Sequence, residues 1–222
     1  MDTHEARSTT ATPERSGRAR LHRRRRGVES NARMTGGAAA VLLVLLAAEG
    51  FTVLRVRALL SAHVFIGMLL IPPVLLKVAS TGWRFVRYYA GSPEYRRKGP
   101  PPALLRLLGP VVVVLTFVLF ASGVALIAGP RSWRPPALAL HKASFVLWFG
   151  AMTIHVLGHA LDTARLAPLD WLHRTRRDVA GAGARLWALA GSLAAGAVLG
   201  VATLGPASRY VHWVRGLPGL HG

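Results

Sequence analysis

L-H-K-A-S-F-V-L-W-F-G-A-M-T-I-H-V-L-G-H, residues Leu140–His159, is apolar enough to cross a membrane and yet carries three histidines. His141 and His155 stand fourteen residues apart, and His159 follows four later. At ~100° per residue these spacings return to nearly one helix face. Phe145, Trp148 and Met152 fill the same face and read as ordinary packing. Imidazoles are costly in hydrocarbon, so a one-sided row of them inside a span points to function.

The surrounding composition agrees with a membrane setting. Of 222 residues 52% are hydrophobic and only 17% charged, and mean hydropathy is +0.36. The charges gather in blocks, and the apolar runs between them approach ~20 residues, the length that crosses ~30 Å of hydrocarbon. Net charge is +19 and pI about 11.9, but most basic residues flank apolar runs. Membrane orientation explains that placement without a nucleic-acid partner. There is no cysteine, which excludes disulfides, iron–sulfur clusters and thiolate metal sites. No G-x-S-x-G, H-E-x-x-H or P-loop motif occurs, so hydrolytic and nucleotide-driven chemistry has no foothold.

Five spans are expected, at about 36–54, 58–79, 103–128, 137–161 and 185–204. Before them, 1–35 reads as a disordered basic cytoplasmic tail; Met1–Arg33 holds nine arginines against four acids. Glu49 lies in the far end of the first span, either orienting a histidine of the next helix or pairing with Arg57, the latter preferred. Pro72-Pro73 in the second span removes two N–H groups, frees the carbonyls of Met68 and Leu69, and predicts a kink or an opened turn. Trp83, Tyr88 and Tyr89 suit the headgroup level, and Gly99-Pro-Pro-Pro is a stiff lead-in to the third span. Ser122-Gly123 offers a close helix approach, as does the Gly196/Gly200 pair of the fifth span. Residues 206–222 read as a short outer tail.

Charge orients the chain. Segments on the N-terminal side hold nine, five and four basic residues; those on the other side hold two each. The N-terminus is therefore expected inside, in a multi-pass protein of the cell membrane. His63 then lies about five residues into the second span and His141 about four into the fourth. Both sit roughly 6–8 Å below the outer edge on different helices. A b-type haem set edge-on between helices needs such a pair, one imidazole to each face of the iron. His155 lies about 21 Å deeper than His141. The position fourteen after His63 is Lys77, which cannot ligate while protonated. His155 and His159 could line a quinone pocket, hold a metal or hydrogen-bond across the bundle.

Longer strings carry a resemblance. H-V-F-I-G-M-L-L-I-P-P-V-L-L-K from His63, R-F-V-R-Y-Y, Y-R-R-K-G-P-P-P, and L-H-K-A-S-F-V-L-W-F with H-V-L-G-H resemble actinobacterial membrane proteins of the cytochrome b561-like kind. Over roughly residues 58–161 the chain is also similar to di-haem cytochromes b and ferric-reductase-like transmembrane domains. The resemblance implies haem b, electron transfer across the membrane, and a redox partner such as a molybdopterin oxidoreductase. It carries His63 and His141 to axial positions, while His155 and His159 match a second pair on one helix only.

The combined expectation is an all-α integral membrane bundle, a haem-binding four-helix core plus one extra helix. Its cofactor-binding residues would be His63, His141, His155 and His159, with iron on His63 and His141. One haem b is expected and a second is possible, with electrons exchanged with a quinone or a redox protein, as a subunit rather than a stand-alone enzyme. The alternative is a cofactor-free transporter, proton relay or assembly factor with an intramembrane His/Glu network.

Overall fold

The computed structural model describes residues 13–96, 103–176 and 180–215, and every regular element among them is helical. In chain order these are α1 (Pro13–Leu54), α2 (Val56–Tyr89), α3 (Pro93–Arg96), α4 (Ala103–Ala128), α5 (Arg134–Leu166), α6 (Pro168–Trp171), α7 (His173–Arg176), α8 (Ala182–Ala202) and α9 (Leu204–Arg215). Among the described residues five helical stretches are long and apolar enough to cross a membrane. Their apolar side chains point outward. Val146, Leu147, Phe149, Leu157 and Leu161 of α5 are all exposed, as are Val114 and Phe117 of α4. An apolar belt of that extent is lipid-facing surface. The chain is an all-α, multi-pass membrane bundle.

α1 and α2 form one hairpin, reversing at Arg55; α4 and α5 form a second, reversing through the 3₁₀ turn Arg131–Trp133. α8 does not return to its neighbour in sequence but packs along α2. α9 caps the end of the bundle where both hairpins turn. There Met68, Leu126, Ile127, Ala137 and Tyr210 make a buried apolar cluster.

Four expectations change. The disorder expected over 1–35 gives way to helix from Pro13, with residues 1–12 outside the described region. The stretch is rich in arginine, which favours helix, and its last turns find partners. Asn31 Nδ2 donates to the Ser80 carbonyl at 3.2 Å, and Arg33 is buried. The residues just after the second span continue as helix to Tyr89 rather than opening into a connection. The 206–222 tail instead starts as part of α9, which buries Ala207, Tyr210 and Val211 against the bundle. The Gly99–Pro102 lead-in lies outside the described residues.

The fourth change concerns Pro72-Pro73. No opened turn forms there; α2 stays helical through the pair, and its one non-helical residue is Leu59 (φ −107°, ψ 22°). Pro73 is fully buried. Its missing N–H leaves the Leu69 carbonyl without its intrahelical donor. Gly196 of α8 sits directly on that oxygen: a Cβ there would lie 2.3 Å from Leu69 O. The glycine lets α8 cover a polar atom that lipid could not satisfy. Gly200, one turn on, lies against the Phe65 ring, where a Cβ would come within 2.8 Å. Backbone cannot yield as a ring can. Gly196→Ala should therefore cost about 1–3 kcal/mol, and Gly200→Ala less, compared by thermal unfolding in detergent. Equal losses would show that the Leu69 oxygen does not set the contact.

At the opposite end a buried charge network ties three segments together. Asp170 accepts from Arg185 Nη2 at 2.6 Å and from Arg185 Nε, and lies 3.5 Å from Arg33 Nη1. Arg33 also reaches Glu29 (2.8 Å) and the Thr175 carbonyl (2.9 Å); Arg185 reaches Ser30 Oγ (2.8 Å). Arg33, Asp170 and Arg185 are all buried. The network pins the start of the first span, the segment after α5 and the start of α8.

Candidate functional site

The tight reversal at Arg55 sets Glu49 of α1 opposite His63 of α2. Glu49 Oε1 lies 2.9 Å from His63 Nδ1. Thr52 joins them: its hydroxyl is 3.1 Å from Glu49 Oε2 and 3.2 Å from His63 Nδ1. It also donates to the Glu49 carbonyl at 2.7 Å, which keeps it facing inward. The histidine partner for Glu49 is therefore realised. A carboxylate against Nδ1 puts the imidazole proton there and leaves the Nε2 lone pair free.

The second hairpin treats His141 in the same way. Its Nδ1 lies 3.1 Å from the Leu119 carbonyl and 3.1 Å from Ser122 Oγ, both on α4. Ser122 Oγ itself donates to the Leu119 carbonyl at 2.9 Å. Next to them Gly123 leaves room for the ring, since a Cβ there would come 3.2 Å from His141 Cε1. The close approach expected at Ser122-Gly123 is thus made by an imidazole. Here too Nδ1–H donates, to a backbone carbonyl, and Nε2 is left without a partner from that hairpin.

The two rings meet across the bundle. Their centroids are 6.3 Å apart and their planes 80° from parallel. α2 and α5 are not a closely packed pair; each is backed by its own hairpin partner. The two rings therefore meet edge to face between α2 and α5, each held from behind. Neither is fully buried, and the His63 side chain is 20% exposed.

His155 and His159 are placed elsewhere. Their rings lie against each other, centroids 4.8 Å apart and planes tilted by 59°, further along α5. His155 Nδ1 is buried without a hydrogen-bond partner. Lys77, the residue opposite in register, donates its ammonium to the Thr35 carbonyl at 2.9 Å and so ties α2 to α1. Trp148 Nε1 donates to Thr116 Oγ1 at 2.8 Å, so Trp148 fastens α5 to α4. Among the described residues no cluster of three or more His, Asp or Glu is arranged to hold a metal ion.

Sequence reasoning missed Thr52 and the Leu119 carbonyl. A threonine three residues after Glu49 was a usable signal, because that spacing puts both on one helix face. The carbonyl has no signal in sequence. No family model matches this chain, and neither a curated protein nor a solved structure matches it.

Proposed function

We propose that the protein is a membrane b-type cytochrome in which His63 and His141 ligate haem b through Nε2. The observation that carries this reading is the matched pair of imidazoles. Each has Nδ1 engaged by its own hairpin, and their centroids stand 6.3 Å apart between helices that do not pack closely. A bare metal ion would want at least four ligands. Two imidazoles alone do not make such a site, whereas a tetrapyrrole brings four nitrogens of its own.

When bound, haem supplies a one-electron couple. The chain's own residues bind and orient. Glu49 and Thr52 fix the His63 tautomer and ring plane; Leu119 and Ser122 fix those of His141. The Glu49 carboxylate makes His63 the more basic ligand. Electrons would pass to or from a quinone or a redox protein such as a molybdopterin oxidoreductase. The basic-residue bias supports a cytoplasmic N-terminus in the cell membrane and puts the histidine pair near the outer leaflet.

The test is a reduced-minus-oxidised spectrum of the purified protein, with pyridine-haemochrome quantitation. Sharp α and Soret bands at one haem per chain are expected. Their absence from protein made in haem-replete cells would leave the cofactor-free transporter or relay. Glu49→Gln gives a finer check. Removing the negative charge should weaken ferric relative to ferrous binding about tenfold, raising the midpoint potential by about 60 mV. Redox titration reads this, and an unchanged potential would reduce Glu49 to a structural partner.

A further inference from the structure

At the end of the bundle capped by α9, a cavity of about 490 Å³ is lined by Arg131, Arg134, Arg209, His212 and Trp213. Its lining has three guanidinium groups and no carboxylate. Arg134 is 6% exposed, and its Nε is buried without a hydrogen-bond partner. No carboxylate among the described residues lies within ion-pair distance of Arg131, Arg134 or Arg209. The aromatic rings of α9 hold Arg134 in place instead. Its guanidinium carbon lies 5.0 Å from the Trp213 ring centre and 5.6 Å from that of Tyr210. Burial holds the Tyr210 phenol above its ordinary pKa, against the pull of Arg134, so the ring is a neutral neighbour. Aromatic faces offset part of the cost of burying a cation but leave its N–H groups unanswered.

We propose that this cavity binds a phosphate group. Tetrahedral oxyanions take several N–H donors at once, and arginines suit them because their donors form a rigid planar fork. Arg131 and Arg134 come from the turn into α5, while Arg209 and His212 come from α9, so a bound phosphate would tie the cap to the second hairpin. The same chemistry could come from an anionic lipid headgroup or from free phosphate. Trp133 and Trp213 beside the cavity suit the membrane–water boundary, where headgroups lie. The proposal does not depend on haem.

The test uses the full chain and a double variant, Arg131→Gln/Arg209→Gln, chosen because both side chains are exposed and their loss leaves the buried Arg134 in place. Circular dichroism confirms that the helices persist. Native mass spectrometry follows release from bilayers of phosphatidylcholine with or without phosphatidylglycerol, and thermal unfolding is followed against inorganic phosphate. Retention of one phosphatidylglycerol per chain, reduced at least tenfold in the variant, identifies a lipid headgroup. Stabilisation by phosphate alone, lost in the variant, identifies the free ion. Both results together mean that the site takes the group from either source. Binding equal in wild type and variant, or binding of neither probe, overturns the proposal.

Discussion

Asp170→Ala should lower stability by about 3–5 kcal/mol, the cost of leaving buried charge without its partner. Two arginines depend on this one carboxylate. Arg185 approaches it through Nε and Nη2, and Arg33 through Nη1. With the carboxylate gone, Arg33 keeps Glu29 and the Thr175 carbonyl, and Arg185 keeps Ser30 and the Ala180 carbonyl. Neither of the latter carries charge. The affected region is where the first span, the segment after α5 and α8 meet, so the loss should also loosen α8 against α2. The measurement is the unfolding midpoint in detergent, with Asp170→Asn as companion. Asparagine keeps one acceptor oxygen and should recover part of the loss. A change below about 1 kcal/mol would put this network with ordinary surface ion pairs.

Replacing His63 or His141 by alanine should remove the haem spectrum altogether. One remaining imidazole would hold the group from one side only. His155→Ala should leave both band shape and haem content intact, because His155 lies against His159, away from the paired rings. The three variants together separate the possibilities. Loss in the first two with retention in the third fits one haem on His63 and His141. Halved haem content in His155→Ala would mean a second site deeper in the bundle. Bands that survive His63→Ala and His141→Ala would remove both residues from any ligand set.

Much of this architecture was legible in the residues themselves. Apolar runs of spanning length located the five spans, and rise per residue put His63 and His141 at like positions along their helices, whose rings are neighbours. Periodicity carries that information. What it does not carry is the partner of an isolated polar residue. Asp170 is one acid in a basic connection, and its partners Arg33 and Arg185 lie on other segments. That Glu49 reaches His63 depends on the tight reversal at Arg55, which sequence suggests only loosely. α9 was legible and overlooked. Ala207, Tyr210, Val211 and Val214 fall at i, i+3, i+4 and i+7, the spacing of one helix face. The tail's arginines and prolines masked that spacing. The prolines of α2 misled in the other direction. The lost N–H groups were expected to kink the helix or open a turn; no turn opens, and Gly196 of α8 covers the Leu69 oxygen.

That cover has a bearing on biogenesis. The ribosome makes Leu69, and the residues of both hairpins, before it makes Gly196. Throughout that interval a peptide oxygen faces acyl chains or whatever guards nascent spans. A chain halted after α5 would keep this blemish permanently and be a natural target for membrane quality control. Arrival of the last span is thus the step that makes the assembly lipid-proof.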